Sequence, residues 1–284
     1  RTPAPPQRTG NPRRKSPLFI LLVAVFCIAL IAVSAILIHM GKARSDFRKL
    51  SQMVQENATA VPAETTPSET QSAQPTEETT VPTEPEPTEP VMLAKYAPLY
   101  EKNHDLFGWL RIDGTDIDLP VVQTPGDNEY YLRRGFDRFY AVGGTLFLDE
   151  RCSVSTDAPT ANWLIYGHNM HDGSMFGQLV RYRDEDFYKA HPTFTFDTLY
   201  EGGTWQVVAA VDTALGADTL PYYTFFDADT KLDWQHRVRA ITEKALYDTG
   251  VMPEYGAQLL TLSTCGDTRP DTDARFALLA VRID

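Results

Sequence analysis

The pattern of apolar and polar residues divides the chain into three regions of different character. Residues 18–38 form an apolar run of 21 residues without a charged side chain. Residues 57–90 contain seven Pro and seven Glu but no Lys, Arg or aromatic residue. From residue 92 onward, short apolar runs alternate with polar segments. The pattern therefore predicts an apolar N-terminal segment, a polar connecting segment and a globular domain.

The apolar run has the length of a membrane-spanning helix. At about 1.5 Å per residue, residues 18–38 span roughly 30 Å, the thickness of a bilayer's hydrocarbon core. Basic residues between positions 8 and 15 precede the run, and such residues stay on the cytoplasmic side. We therefore predict a cytoplasmic basic segment at 1–17, a single-pass transmembrane helix at 18–38 and an extracellular remainder.

A cleaved signal peptide is the alternative, although its apolar core is usually about 7–15 residues long. Because the sequence does not begin with Met, we expect the natural chain to start upstream.

Residues 39–91 are predicted to connect the membrane helix to the domain. Residues 41–55 have mixed charges and suggest a helical continuation. Residues 57–90 cannot bury enough apolar surface to offset the entropy of ordering, and their Pro residues and like charges favour an extended chain. We interpret them as a disordered Thr/Pro/Glu-rich stalk that holds the domain away from the membrane. Residues 1–90 should then be dispensable for the chemistry.

The domain of residues 92–284 has the pattern of a mainly β fold. Eight predicted strands are rich in β-branched or aromatic residues and bounded by Gly, Pro, Asp or Asn. They lie at residues 109–112, 119–123, 144–148, 163–166, 193–196, 205–211, 258–263 and 275–283. Helices are predicted at residues 93–103, 174–189 and 228–246. Because helices do not alternate regularly with the strands, a barrel or a sandwich is favoured over a βαβ fold.

The composition narrows the possible chemistry. A formal net charge of -12 argues against nucleic-acid binding, which needs clustered Lys and Arg. The three cysteines are too few and too widely spaced for a disulfide framework or a metal site. We therefore expect no cofactor, no metal and no nucleic-acid partner. A cysteine nucleophile with a His distant in sequence is still compatible with these counts.

Cys265 is the candidate nucleophile because it lies where an apolar strand opens into a polar loop. The alternative is a small buried hydrophobe, the usual role of a free cysteine. Cys152 is the competing candidate, but it lies in a polar loop beside Glu150, and an acidic neighbour disfavours a thiolate.

Two further residues complete a possible acyl-transfer site. His168 closes the strand at 163–166, and Arg275 begins the last strand ten residues after Cys265. Each of them alone is more often an ordinary surface residue. Together, a thiolate can attack a carbonyl, an imidazolium can protonate the leaving amine, and a guanidinium can stabilise negative charge.

Two motifs resemble a known family. The run Thr-Leu-Ser-Thr-Cys at 261–265, with Arg275, resembles the TLxTC…R signature of sortases. The block Tyr-Gly-His-Asn-Met-His-Asp-Gly-Ser-Met-Phe-Gly at 166–177 resembles the YGHxMxDGSMFG block of class B sortases. Residues 103–132 are similar to the N-terminal strands of that class. The resemblance covers about residues 99–283.

The resemblance implies a fold and an activity. The fold is an eight-stranded β-barrel with an N-terminal helix and an extra helix, here 228–246, before the nucleophile strand. The activity is that of a cysteine transpeptidase, which cuts the C-terminal sorting signal of a secreted protein through a thioacyl intermediate. An amine of a peptidoglycan precursor in a Gram-positive cell wall then accepts the protein. Cys265, His168 and Arg275 match the catalytic residues, with a minor thiolate–imidazolium population at neutral pH.

The resemblance also implies roles for neighbouring residues. The Gly266 amide matches the oxyanion donor, and Asp267 matches an acidic position whose role is open. Four residues match positions that line the signal-peptide groove: Asn128, Leu132, Tyr166 and Ser263.

Three alternative functions stay open at this point. A pilin polymerase would use a pilin lysine as the acceptor, and a secreted cysteine hydrolase would use water. A non-catalytic surface adhesin would have the stalk as its main feature, but the set of Cys265, His168 and Arg275 argues against it.

Overall fold

Eight strands close into a barrel, so the predicted mainly β fold is confirmed. The computed structural model describes residues 17–60, 90–153, 158–216, 219–267 and 273–284. The strands are β1 (Leu106–Arg111), β2 (Asp118–Val122), β3 (Leu146–Leu148), β4 (Asn162–Tyr166), β5 (Thr193–Thr198), β6 (Thr204–Ala214), β7 (Leu259–Cys265) and β8 (Ala274–Arg282). Their order around the barrel is β1-β2-β3-β4-β7-β8-β6-β5.

The strand order brings distant parts of the sequence together. β4 pairs with β7 in parallel, although about ninety residues of chain separate them, and β7 pairs with β8 in antiparallel fashion. β7 is therefore central, with the strand that leads to His168 on one side and the strand that begins near Arg275 on the other. Six of its seven residues are buried, and only Cys265 at its end is partly exposed.

Aromatic side chains fill part of the barrel interior. The rings of Trp163 and Trp205 lie 5.9 Å apart, and Trp163 also meets Phe107 and Phe196 edge-on at 5.7 and 6.1 Å. Such offset or edge-on pairs are the favoured aromatic geometries. The sequence places these residues on β1, β4, β5 and β6, so one cluster joins four strands.

Within residues 92–284, the helices are shorter than the predicted segments, whereas α1 is longer than the helix predicted at 18–38. Their bounds are α1 (Pro17–Ala60), α2 (Ala97–Tyr100), a 3₁₀ helix (Phe176–Arg183), α3 (Glu185–Ala190), a 3₁₀ turn (Tyr222–Thr224) and α4 (Lys231–Thr242). The helix predicted at 174–189 is divided because Asp184 is extended, with φ -89° and ψ 118°. The Asp184 carboxylate instead accepts a hydrogen bond from the Asp186 amide at 2.9 Å and caps α3.

The second compact unit begins at Arg44, earlier than the predicted domain boundary at residue 92. The chain divides into the units Arg1–Ala43 and Arg44–Asp284. Within the second unit, Phe47 and Leu50 of α1 are buried in the core, 7% and 9% exposed. The Ser51 hydroxyl donates a hydrogen bond to the Asp118 carboxylate on β2, and Arg44 forms an ion pair with Asp172.

The predicted stalk begins within helix α1. Residues 57–60 belong to α1, whose buried residues lie upstream of the supposed stalk. The rest of the predicted stalk, residues 61–89, lies outside the described residues, as does the basic segment 1–16.

The prediction of a transmembrane helix at 18–38 is not supported by the described residues. Among them, no helix combines the length and the apolar character that a bilayer crossing requires.

We expect Phe47→Ala to destabilise the barrel unit. Removing a buried aromatic side chain costs about 3 kcal/mol of unfolding free energy, and Phe47 is buried although it lies in the segment predicted to be dispensable for the chemistry. Urea unfolding of the full chain measures the change, and Lys49→Ala, whose side chain is 67% exposed on the same helix, is the control. Equal unfolding midpoints for Phe47→Ala and the unmodified chain would contradict this role of α1.

Candidate active site

Cys265 and Arg275 face each other across the β7–β8 hairpin. Cys265 is the last residue of β7, and its register partner on β8 is Arg275. Residues directly opposite in an antiparallel pair project to the same face, with Cβ atoms about 4.5–5.5 Å apart. The thiol and the guanidinium therefore start from adjacent positions on one face of the barrel wall. Both residues are partly exposed at the rim.

His168 reaches the same rim through the pairing of β4 with β7. Tyr166 is the register partner of Ser263. Beyond the end of β4, the Gly167 amide donates to the Ser263 carbonyl at 3.2 Å, and the Asn169 side chain donates to the Cys265 carbonyl at 3.0 Å. His168 is the residue between Gly167 and Asn169, so its backbone is held next to the end of β7. The three residues predicted to be catalytic are thus carried by three adjacent segments of one rim.

A glycine is required directly before His168. A Cβ atom at position 167 would overlap the Leu146 side chain and would lie 2.6 Å from the Phe176 ring. The Phe176 amide donates to the His168 carbonyl at 2.9 Å, so the loop after β4 folds back over this glycine. Close packing of the loop on β3 therefore fixes the backbone that carries the imidazole.

The His168 ring is held in one tautomer by a backbone carbonyl. Nε2 lies 2.8 Å from the Leu132 carbonyl oxygen, which can only accept a hydrogen bond, so Nε2 carries the proton. Burial lowers the pKa of His168 below its ordinary value of 6.5; the Leu132 bond opposes this and the charge of Arg133 adds to it. The imidazole is therefore neutral at pH 7, and Nδ1 is left to accept a proton.

Cys152 lacks the properties of a nucleophile. It is 5% exposed, and its Sγ accepts a hydrogen bond from the Leu164 amide at 3.4 Å. Burial raises the pKa of Cys152 to about 12. A thiol that is enclosed and protonated cannot attack a peptide bond, which agrees with its interpretation as the weaker candidate.

The four predicted groove residues make different contacts in the structure. Ser263 is buried on β7, two residues before the nucleophile, and Leu132 is half-buried and holds His168 through its carbonyl. The Tyr166 hydroxyl donates to the Asp149 carboxylate at 3.0 Å. Asn128 accepts a hydrogen bond from the Glu150 amide at 2.9 Å, in the loop that follows β3.

The Gly266 amide, the predicted oxyanion donor, already has a partner. It donates to the Ala274 carbonyl at 2.8 Å and so continues the β7–β8 hairpin beyond Cys265. To bind an oxyanion, this amide would have to leave Ala274. Asp267 follows, half-buried, and residues 268–272 lie outside the described part of the chain.

Sequence reasoning missed Tyr222, which belongs to the site. Its hydroxyl is 2.7 Å from the Ser263 hydroxyl and its side chain is buried. Burial raises the pKa of Tyr222, while Cys265 and Arg275 act on that pKa electrostatically in opposite directions, so all three groups are close. The sequence offered no signal, because Tyr222 lies in an irregular stretch between β6 and α4.

Among the described residues, no three His, Cys, Asp or Glu side chains are grouped so that they could hold a metal ion. The chemistry of the site is that of a thiol, a neutral imidazole and a guanidinium at one rim.

The comparison with known proteins agrees with this geometry. No family model matches the chain. Sortase B of Listeria monocytogenes is 35% identical over 173 residues, which cover 61% of this chain and 67% of that relative. The chain belongs to the class B sortases. It is therefore a cysteine transpeptidase of the sortase family.

Solved structures share the fold. Sortase B from B. anthracis in complex with AAEK1 has a TM-score of 0.67 and 26% identity, and the match covers 87% of this chain and 99% of that one. A sortase B complexed with triglycine has a TM-score of 0.68 and 25% identity, covering 86% and 98%. The eight-stranded barrel is thus that of sortase B structures.

Proposed function

We propose that this sortase cleaves the C-terminal sorting signal of a secreted protein and transfers the protein to an amine of a Gram-positive peptidoglycan precursor. The observation that carries the proposal is the pairing of Cys265 with Arg275 across the hairpin, beside the segment that holds His168. The complex of another sortase B with triglycine supports an amine acceptor.

The first half-reaction forms a thioacyl enzyme. Neutral His168 takes the thiol proton of Cys265, and the sulfur attacks the carbonyl carbon of the scissile peptide bond. Arg275 stabilises the negative charge that develops on the carbonyl oxygen. As the C–N bond breaks, the imidazolium returns the proton to the leaving amine, so that the acyl group stays on sulfur and His168 is neutral again.

The second half-reaction releases the product. The acceptor amine attacks the thioacyl carbon and His168 takes the amine's proton. The C–S bond then breaks, the sulfur receives the proton, and a new amide bond joins the protein to the acceptor. Water in place of the amine would give hydrolysis instead.

A panel of sorting-signal peptides tests the proposal. The full chain is incubated with each peptide, with no added amine, with a peptide amine, or with a lysine side-chain amine, and the products are identified by mass spectrometry. A ligated product with the peptide amine supports cell-wall anchoring, and a product with lysine alone indicates a pilin polymerase. Cleavage that yields only the hydrolysed peptide at saturating amine identifies a cysteine hydrolase and contradicts the proposal.

We also propose a single-pass membrane location with the catalytic domain outside the cell. The support is the uncharged run at 18–38 with basic residues before it, so the proposal rests on the sequence. Alkaline extraction of membranes and protease treatment of intact cells test it. Release of the chain by alkali, or protection of the barrel from protease, would refute it.

A further inference from the structure

Arg183 bridges the turn that follows the nucleophile to a neighbouring strand. It is the last residue of the 3₁₀ helix Phe176–Arg183, which begins where the His168 loop ends. Its Nη2 donates to the Gly266 carbonyl at 2.7 Å. Nε and Nη2 also bind the Asp212 carboxylate on β6, at 3.0 and 2.7 Å. The guanidinium lies over the Phe276 ring, 5.2 Å from its centre.

These contacts lie close to the end of β8 that carries Arg275, the register partner of Cys265. Asp212 is the register partner of Phe276, and the next pair along the same strands is Thr213 with Arg275. One guanidinium therefore joins the turn after Cys265 to β6 and β8, one residue pair along these strands from Arg275.

Both peptide planes after the nucleophile are fixed by such bonds. In the first, the Cys265 carbonyl accepts from Asn169 and the Gly266 amide donates to Ala274. In the second, the Gly266 carbonyl accepts from Arg183. Because each peptide unit is planar, holding one of its polar atoms limits the rotation of the whole unit. The Arg183 side chain therefore limits the rotation of the second plane.

We propose that Arg183 is a positioning residue for the reaction, which holds the Gly266 turn so that the Cys265 thiol keeps its place beside His168 and Arg275. The proposal rests on the proposed function of the site. The ion pair itself is partly exposed, 36% for Arg183 and 44% for Asp212, and pairs of this kind contribute little to stability. The ion pair is therefore important for positioning. A planar guanidinium can bind two partners at once in a fixed arrangement, and a lysine cannot.

Arg282 provides a matched control. It also pairs with carboxylates, those of Glu201 at 2.7 Å and Asp284 at 3.1 Å, and donates to a backbone carbonyl, that of Gly202 at 2.9 Å. It is the last residue of β8, whereas Arg275 lies near the start of that strand. Arg282→Gln thus removes the same kind of contacts from the opposite end of the strand.

The test compares Arg183→Gln, Arg183→Lys and Arg282→Gln in the full chain. A misplaced catalytic group can cost about 10²-fold, so we expect Arg183→Gln to lower kcat roughly 10- to 100-fold with little change in KM. Arg183→Lys should recover part of the loss. Arg282→Gln should leave kcat within about twofold and match Arg183→Gln in its thermal unfolding midpoint. Unchanged kcat in Arg183→Gln, or equal losses in both Gln variants, would overturn the proposal.

A second measurement separates this proposal from the proposed function. Labelling of Cys265 by a methanethiosulfonate reagent, followed by peptide mass spectrometry, requires no sorting peptide. Because His168 takes the thiol proton, a displaced turn should slow labelling about tenfold in Arg183→Gln and not in Arg282→Gln. Failure of the unmodified chain to use any peptide would defeat the proposed function alone. Equal labelling rates in the two variants would defeat the role of Arg183 alone.

Discussion

Cys265→Ala should abolish both cleavage and transfer, whereas Cys152→Ala should keep most of the activity. Without the sulfur no thioacyl intermediate can form, and loss of a nucleophile typically costs about 10⁶-fold in turnover. Cys152 is buried and protonated, so its replacement by Ala removes one sulfur from the core and no catalytic group. Turnover of a sorting peptide by each variant measures the difference.

The acyl adduct gives an independent check of the same assignment. Mass spectrometry after incubation with substrate should find the acyl group on the peptide that contains Cys265 and not on the one that contains Cys152. An adduct on Cys152, or residual transfer by Cys265→Ala, would show that the nucleophile is wrongly assigned.

The strands could be predicted from the sequence because each leaves a local signal. β7 combines a run of apolar and β-branched residues with a Gly directly after it at position 266, and β4 is followed by Gly167 in the same way. The sequence gives no such local signal for which strands pair with each other in the barrel. The parallel pairing of β4 with β7 depends on packing between segments far apart in sequence. The strand pattern left a barrel and a sandwich open, and the family resemblance indicated the barrel.

The sequence of helix α1 carries a signal for a buried face. Phe47, Leu50 and Val54 are spaced three and four residues apart, as expected for one apolar face of a helix. The mixed charges around them suggested only a helical continuation of the preceding segment. What the face covers cannot be read from its spacing, because the partner surface exists only once the barrel has formed.

The residues of the site also divide into those that local sequence predicts and those whose role depends on the fold. Cys265, His168 and Arg275 could be named because each stands at a strand end within a recognisable motif. Tyr222 and Arg183 approach the site from segments without a motif, and their contacts depend on the fold. The engagement of the Gly266 amide with Ala274 follows from the hairpin register, which the ten-residue spacing alone does not determine.

His168 and Arg275 should differ most clearly in the pH dependence of kcat/KM. The pKa of His168 lies below 6.5, chiefly because of burial. As the pH falls below 6.5, the imidazole gains a proton and can no longer take one from the thiol. The unmodified chain should therefore lose activity along an acid limb below pH 6.5, and an alkaline limb should complete a bell-shaped profile.

His168→Ala should lower kcat/KM by about 10²–10⁴-fold, the usual contribution of general acid–base catalysis, and should remove that limb. The control is His171→Ala, an exposed histidine three residues along the same loop, which should keep both the rate and the limb.

Arg275→Ala should lower kcat/KM by about 10²–10³-fold, as expected for the loss of one oxyanion stabiliser, and should keep both limbs. A guanidinium does not titrate near neutral pH, so its removal changes the height of the profile and not its shape. Arg275→Lys keeps the charge but loses the planar fork, and should recover only part of the rate. If Arg275→Ala erased a limb while His168→Ala kept the bell, the two residues would have the opposite roles.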